Sequence, residues 1–376
     1  MAGATGQGRP RRGPRAVTWL ATLFRLDPAG ANWTRAVLFL DIALVPLMVF
    51  WAIGDEQYLL SAVFGLLFAA LADPGGGLGH RAAHIALFGL IGAGVTALAF
   101  GIGGAAWGWL ALLAFAVTLA AGLAVAFGVG RFANALLLNV WFVVALGLAF
   151  GLHHHTRITS HTWVQTLAWA AGSASWIIVA LVGRLVRRRA QAPRPFAELP
   201  GDTSRRKLTP QLIAFAVLRA LAIAGTVALA FGLDLANGYW MPVAAIAAMK
   251  PSLQQTALAA AQRLIGAMIG AAVAVLLLLL PAGVHGRELF AVKRGLEVVA
   301  LVLLMHAVAI RFLNYALYCA AIAAAVLLMI DLPQTSHHAA EAHRVLWTLC
   351  GGGIGLLVML LAALLARRSP RAARRT

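Results

Sequence analysis

Long apolar runs separated by short polar breaks dominate the chain, and the run AAVAVLLLLL at 271–280 is typical of them. A membrane-spanning helix needs about 20 apolar residues, so such runs are what a bilayer requires. The breaks predict twelve spans, six in each half: 36–53, 58–72, 82–103, 105–128, 132–152 and 162–182, then 211–232, 239–249, 260–281, 295–310, 312–330 and 345–366.

Two of these spans, 58–72 and 239–249, are short, and Pro74, Pro242 and Pro251 lie in or beside them. Short or proline-interrupted spans at corresponding places in two halves of a membrane protein indicate a transport site. The pattern therefore draws attention to the second span of each half.

The composition supports a membrane protein, because 62% of the 376 residues are hydrophobic and only 11% are charged. Twelve spans would take about 240 positions, which leaves little chain for a soluble catalytic module. A porin-type barrel is not indicated, since its strands alternate apolar and polar residues. The chain is predicted to be an all-α integral membrane protein and not an enzyme.

The formal charge of +18 is unevenly placed: 19 of the 30 Lys and Arg residues lie in 1–35, 183–210 and 367–376. Cytoplasmic flanks of membrane helices collect Lys and Arg. Placing both termini in the cytoplasm leaves 24 of these residues inside, five outside and Arg219 within a span. Nucleic-acid binding is not indicated, because no aromatic-interleaved basic surface or zinc spacing accompanies the charge.

The two halves of the chain are similar at an offset of 177 to 182 positions, which predicts an internal duplication. Because each copy has an even number of spans, the repeats are predicted to be parallel, 36–182 and 211–366, around an axis along the membrane normal. The aligned motifs, in order, are Asp73-Pro74 with Lys250-Pro251, Arg131-Phe132-x-Asn134 with Arg311-Phe312-x-Asn314, and His161-x4-Thr166-Leu167 with His343-x4-Thr348-Leu349.

Charged side chains inside predicted spans mark functional candidates, because each costs about 2.5–3.5 kcal/mol on insertion scales. Asp41 and Arg219 occupy nearly equivalent positions in the two halves. One interpretation is a structural ion pair that locks the halves together. The other is that Arg219 binds an anionic substrate while Asp41 takes a proton.

Glu297 and His306 are nine residues apart, which places them near opposite faces of one helix, so they are not expected to share a site. Glu297 is either a proton-coupling residue or an interfacial carboxylate. His306 is either a proton relay, given its unperturbed pKa near 6.5, or a hydrogen-bonded core histidine.

Histidines collect in two loops that correspond in the repeats, His153, His154, His155 and His161 in one and His337, His338 and His343 in the other. We favour solvated loops over a pH-sensitive gate or an external metal site, because neither loop has zinc-motif spacing.

Cys319 and Cys350 are predicted to be packing residues, and Gly266-x3-Gly270 and Gly351-x3-Gly355 to allow close helix contacts. No nucleotide motif is present, and no cofactor is predicted.

The second half carries motifs that identify a family: Tyr239-Trp240-Met-Pro-Val, then Lys250-Pro251-Ser252, then Gln262-Arg263-Leu-Ile-Gly266-Ala-Met-Ile-Gly270. This series resembles the fusaric acid resistance-like family of membrane proteins. The resemblance covers most of 211–366 and is weak in the first half. It implies an efflux protein of the cell inner membrane that exports aromatic carboxylic acids, often beside a periplasmic adaptor.

An anion path fits these residues, because a carboxylate crossing hydrocarbon needs positive partners and Arg219, Lys250 and Arg263 lie on successive spans. Lys250 and Arg263 could instead snorkel to the cytoplasmic surface. Tyr239 and Trp240 could stack on an aromatic substrate or anchor the chain at the interface.

The sequence therefore predicts a proton-driven exporter of small, aromatic organic anions. A passive organic-anion channel and a non-transporting membrane scaffold are the alternatives. The oligomeric state, a homo-oligomer included, is left open.

Overall fold

The computed structural model describes residues 25–74, 78–155, 161–186, 208–249, 253–280, 286–331 and 339–368. Within these ranges the regular structure is helical, with no strand. The long helices are α1 Trp33–Ile53, α2 Leu59–Ala72, α3 Leu78–Ile102, α4 Trp107–Leu123, α5 Val129–His155, α6 His161–Val186, α7 Pro210–Gly232, α8 Trp240–Ala248, α9 Leu253–Leu278, α10 Gly286–Ile310, α11 Tyr315–Asp331 and α12 Ala339–Arg368.

The helix positions agree with the predicted apolar spans, and local sequence signals set several of the ends. The Asn32 side chain accepts the backbone N–H of Arg35 at the start of α1 (3.1 Å), and α1 ends at Gly54 with φ of 77°. Thr209 caps α7 in the same way, with Pro210 as the first helical residue. These are common start and stop signals of helices.

Seven helices in the described ranges are long and apolar enough to cross a membrane. Leu90, Trp109 and Leu276 on three of them are about two-thirds exposed. Such large bare apolar side chains are costly in water and favourable in lipid. The chain is therefore a multi-pass membrane protein. The remaining predicted crossings are helices as well, but they do not reach this length and hydropathy.

The two short helices, α2 and α8, are the most buried elements of the bundle. Twelve of the fourteen residues of α2 and all nine residues of α8 are buried. At 1.5 Å per residue, nine residues rise only about 13 Å, less than the roughly 30 Å of a hydrocarbon core. The residues that directly flank α8, Tyr239 and Met249, are buried as well, at 8% and 2% exposure.

Helix contacts surround these two elements with longer helices. In the first half α2 and α3 pack on α6, and α5 packs on α3 and α4; in the second half α8 and α9 pack on α12, and α11 packs on α9 and α10. The halves meet where α4 packs on α7, α1 on α10 and α5 on α8.

The two ends of the bundle are named after residues that lie at them, Arg35 and Glu56. At the Arg35 end, Arg35 and Arg81 at the starts of α1 and α3 contact Asp73 after α2. At the Glu56 end, Glu56 between α1 and α2 contacts Arg294 in the third turn of α10. The first, third, fifth and seventh helices begin at the Arg35 end.

The glycine positions predicted to permit close packing do so. A Cβ on Gly270 would meet the Ala320 carbonyl oxygen of α11 at 2.6 Å, and one on Gly266 the Ala316 carbonyl oxygen at 2.6 Å. A Cβ on Gly351 would collide with the Met241 carbonyl of α8. These glycines therefore set the distance between helices, as expected of small residues in membrane proteins.

Candidate functional site

Arg219 is the most unusual buried side chain of the bundle. It lies on α7 near the Arg35 end and is 1% exposed. Its Nη2 donates to the Ile246 carbonyl of α8 at 3.1 Å, and its guanidinium carbon lies 5.6 Å from the ring centroid of Phe132 on α5. Arg219 thus lies where α7 and α8 of the second half meet α5 of the first.

Two of the donors on this guanidinium, Nε and Nη1, have no hydrogen-bond partner in the described structure. Burying a cation without an anionic partner is expensive, and each unmet donor adds to the cost. The described residues supply one carbonyl and one aromatic ring, but no carboxylate, to Arg219. The arrangement leaves two guanidinium nitrogens, which carry three N–H groups, without an acceptor.

The end of α8 explains why Arg219 is tolerated without a carboxylate. The last carbonyls of a helix lack intrahelical partners and carry the negative end of the helix dipole. The Ile246 carbonyl belongs to the last turn of the nine-residue α8. It offers Arg219 a partial negative charge, which holds the side chain in place without neutralising it.

The end of α2 has a different chemistry, centred on Asp73. Arg81 donates hydrogen bonds to this carboxylate from Nε (2.7 Å to Oδ1) and from Nη2, and a guanidinium nitrogen of Arg35 lies 3.6 Å from it. The indole N–H of Trp176 donates to Oδ2 at 3.0 Å. The Asp73 side chain is fully buried. This cluster satisfies its carboxylate completely and therefore acts as a structural lock rather than a free binding group.

The sequence indicated neither the Asp73 cluster nor its arginines. Arg81 follows Asp73 by eight residues and lies on the next helix, which is not a helical contact spacing, and Trp176 is 103 residues away. The only available signal was Asp73 itself, a charged residue at the end of a very apolar helix.

The predicted substrate residues are only partly brought together. Tyr239 and Trp240 are 8% and 5% exposed, and their ring centroids are 4.9 Å apart at the start of α8. They lie in the core, at the opposite end of α8 from Arg219, rather than at a lipid interface. Tyr239 packs on Gly147 of α5, where a Cβ would collide with the ring.

Arg263 is half-buried on α9, beside Tyr315 and Tyr318 of α11, and its Nε has no partner. No described contact joins Arg263 to Arg219. Lys250 lies outside the described residues.

The predicted pairing of Asp41 with Arg219 is wrong. Asp41 is exposed on the same face of α1 as Val37 and Val45, which are about half exposed. α1 packs on α2, α6 and α10, whereas α7 packs on α4, α8 and α12. Asp41 and Arg219 therefore do not face each other, and Asp41 has no ion-pair partner in the described structure.

Glu297 and His306 lie apart on α10, as their spacing predicted. The Nδ1 of His306 lies 2.8 Å from the Val302 carbonyl, and the imidazole ring packs edge-on to Trp33. His306 is partly buried and hydrogen-bonded within its own helix, and its ring partner Trp33 is 49% exposed.

Glu297, 9% exposed, accepts the indole N–H of Trp51 and lies 3.4 Å from Arg294, which also contacts Glu56. Arg294 additionally lies 4.5 Å from the Trp51 ring centroid. This network joins α1 to α10, and hence the two halves, at the Glu56 end.

A cavity of about 550 Å³ opens beside this network. Its walls come from both halves, from the first turn of α2, from α5 and α6, and from α10 and α11. Ser61 of α2 donates to Gln165 of α6 in its floor. The size is ordinary for a small-molecule site.

The histidines predicted to lie in loops are in part helical: His153, His154 and His155 end α5, and His161 is the first residue of α6. His161 contacts the Tyr58 hydroxyl through Nδ1, and the two rings stack with centroids 5.3 Å apart. The side chains of His153, His154 and His155, and all of His337 and His338, lie outside the described residues. Within the described chain no group of three His, Cys, Asp or Glu residues could hold a metal ion.

Comparison with known proteins gives a match in the second half of the chain. Curated proteins and solved structures give no match. A family model described as fusaric acid resistance protein-like matches residues 221–358, which span α8 to α11 entirely and parts of α7 and α12. This confirms the resemblance inferred from the Tyr239–Gly270 motifs. The chain is therefore a multi-pass membrane protein whose residues 221–358 match the family model described as fusaric acid resistance protein-like.

Proposed function

We propose that this protein exports small organic anions, aromatic carboxylates among them, across the cell inner membrane and is driven by the proton gradient. Arg219 would bind the carboxylate. The observation that carries the proposal is its guanidinium, 1% exposed, with two unpartnered donors at the junction of the halves. The proposal includes no chemical conversion of the substrate.

The path would run along the contact between the halves. Arg219 lies at the Arg35 end of this contact, and the 550 Å³ cavity lies at the Glu56 end. Tyr239 and Trp240 at the start of α8 lie on the same helix as the Arg219 partner Ile246. In transporters with discontinuous helices, helix ends at membrane depth bind the substrate. Arg263 and Lys250 would line the cytoplasmic approach.

The architecture we propose is two parallel repeats, 36–182 and 211–366, joined by a basic linker at 183–210 and flanked by basic segments at 1–35 and 367–376. Matching helix contacts support it, because α2–α6, α3–α6 and α4–α5 each have a counterpart six helices later. A second, independent observation that supports two repeats is a close contact between a glycine and a backbone carbonyl that occurs in both halves. The offset from Gly172 to Gly351 equals the offset between their carbonyl partners, Ala62 and Met241.

We place the Arg35 end, both termini and the linker in the cytoplasm, because the basic blocks belong to this side. For proton coupling we favour Glu297. It lies in the network at the junction of the halves, whereas Asp41 faces away from that junction. Asp41 and His306 stay candidates that lie further from the path. A periplasmic adaptor would meet the Glu56 end.

The test is uptake of labelled 4-hydroxybenzoate into inverted membrane vesicles with and without an acidic lumen. A weak acid that crosses the bilayer passively in its protonated form is depleted from an acidic lumen. Accumulation of 4-hydroxybenzoate in that lumen therefore reports transport by the protein. We expect accumulation that ends when a protonophore collapses the gradient and that is absent with Arg219→Ala at matched protein levels. Flux that ignores the gradient would establish a channel instead. An Arg219→Ala variant that only lowers protein yield would establish a scaffold.

A further inference from the structure

The cavity at the Glu56 end is lined by two cationic side chains of α10, Lys293 and Arg294. Phe290, Lys293, Arg294 and Glu297 follow one another at helical spacing, so one face of α10 presents all four to the cavity. The two cations of this face have very different surroundings, and this difference indicates which of them is free to bind a ligand.

Arg294 is already occupied. It contacts both Glu56 and Glu297, and its guanidinium lies between the rings of Trp51 and Phe290, 4.5 and 4.9 Å from their centroids. Its side chain is only 16% exposed. Arg294 therefore forms part of the cavity wall, and its charge is neutralised by Glu56 and Glu297.

Lys293 has no carboxylate or hydrogen-bond partner in the described part of the chain, although it is half-buried in the cavity wall. One turn earlier, Phe290 is 62% exposed. An unpaired ammonium next to an exposed aromatic ring matches a ligand with an anionic group on a flat ring. The ammonium would bind the anion, and Phe290 would stack on the ring.

We propose that Phe290 and Lys293 form a second, weaker binding site for aromatic carboxylates at the opposite end of the path from Arg219. The site rests on the proposed function for its role as the place of release, but its binding is a separate property of this face of α10. The cavity of about 550 Å³ accommodates one such ring together with water.

Protection of a cysteine from labelling tests the site directly. Gln57 lines the cavity and is exposed, so a Gln57→Cys variant with Cys319 and Cys350 changed to Ala reports access to it. In proteoliposomes, 4-hydroxybenzoate should slow the reaction of this cysteine with a membrane-impermeant maleimide. Benzamide, which lacks the charge, and cyclohexanecarboxylate, which lacks the aromatic ring, should protect it less.

The variants assign the effect to the two residues. Lys293→Gln should raise the half-protecting concentration about fivefold, the scale of a partly exposed ion pair, and Phe290→Leu should raise it as well. Arg287→Gln on the same helix does not line the cavity and should leave protection unchanged. Equal protection in the wild type and Lys293→Gln, or none in the wild type, would overturn the site. Protection that depends on Lys293 in a protein that fails to transport would refute the proposed function and leave the site standing.

Discussion

The Asp73 cluster gives a sharp stability prediction. Changing Asp73 to Asn keeps the side-chain shape and an acceptor for Trp176, but it removes the charge that Arg81 and Arg35 contact. Removing one partner of a buried ion pair typically costs about 3–5 kcal/mol. Both arginine side chains remain about 15% exposed, which relieves part of that penalty. We therefore expect a loss of about 2–3 kcal/mol in the free energy of unfolding.

Unfolding in mixed lipid and SDS micelles measures this loss. Asp55→Asn is the matched control, because Asp55 is exposed and its side chain makes no capping hydrogen bond; it should change the free energy by less than about 0.5 kcal/mol. In a double-mutant cycle with Arg81→Gln the coupling should exceed about 1 kcal/mol. A loss no larger than that of Asp55→Asn, or additive effects of the two changes, would refute the assignment of Asp73 as a lock.

Three further predictions concern packing, sidedness and the network at the Glu56 end. Gly351→Ala should destabilise the protein by about 1–3 kcal/mol because its Cβ collides with the Met241 carbonyl, whereas Gly94→Ala, which has open space, should be neutral or stabilising in the same assay. A cysteine near Arg188 in the linker should react in intact cells with permeant but not impermeant maleimides; impermeant labelling would reverse the proposed orientation. Arg294→Gln should cost less stability than Asp73→Asn in the same assay, since its partner Glu56 is 42% exposed and its buried partner Glu297 keeps the indole N–H of Trp51 as a donor.

The sequence was most informative about what depends on local pattern. Apolar runs predicted the twelve long helices of the described ranges, and α2 and α8 were predicted to be short, with Pro74, Pro242 and Pro251 in or beside them. The glycine pairs predicted close packing correctly, because a missing Cβ has the same effect wherever the partner helix comes from.

The sequence was least informative about which side of a helix faces the centre of the bundle. Asp41 and Arg219 match in position, yet one is exposed and the other is 1% exposed. A helix as apolar as α1 has little amphipathic signal, since lipid and protein interior are equally hydrophobic. The partners of Asp73 and Arg294 were hidden for a different reason. Trp176 lies 103 residues from Asp73, and Glu56 lies on the far side of the chain's midpoint from Arg294, so no local pattern pairs them.

The central claim is that Arg219 is a binding group and not a packing group, and equilibrium binding tests it most directly. Labelled 4-hydroxybenzoate would be titrated into the purified protein in lipid nanodiscs, with Arg219→Gln compared against Arg131→Gln, an exposed arginine at the same end. Loss of a buried charged hydrogen-bond donor should weaken the Arg219 site by about 2–3 kcal/mol, roughly 30- to 150-fold in Kd. The melting temperature should stay level or rise, because an unneutralised buried cation is removed. Unchanged affinity together with a lower melting temperature would show that Arg219 serves packing and would contradict the account.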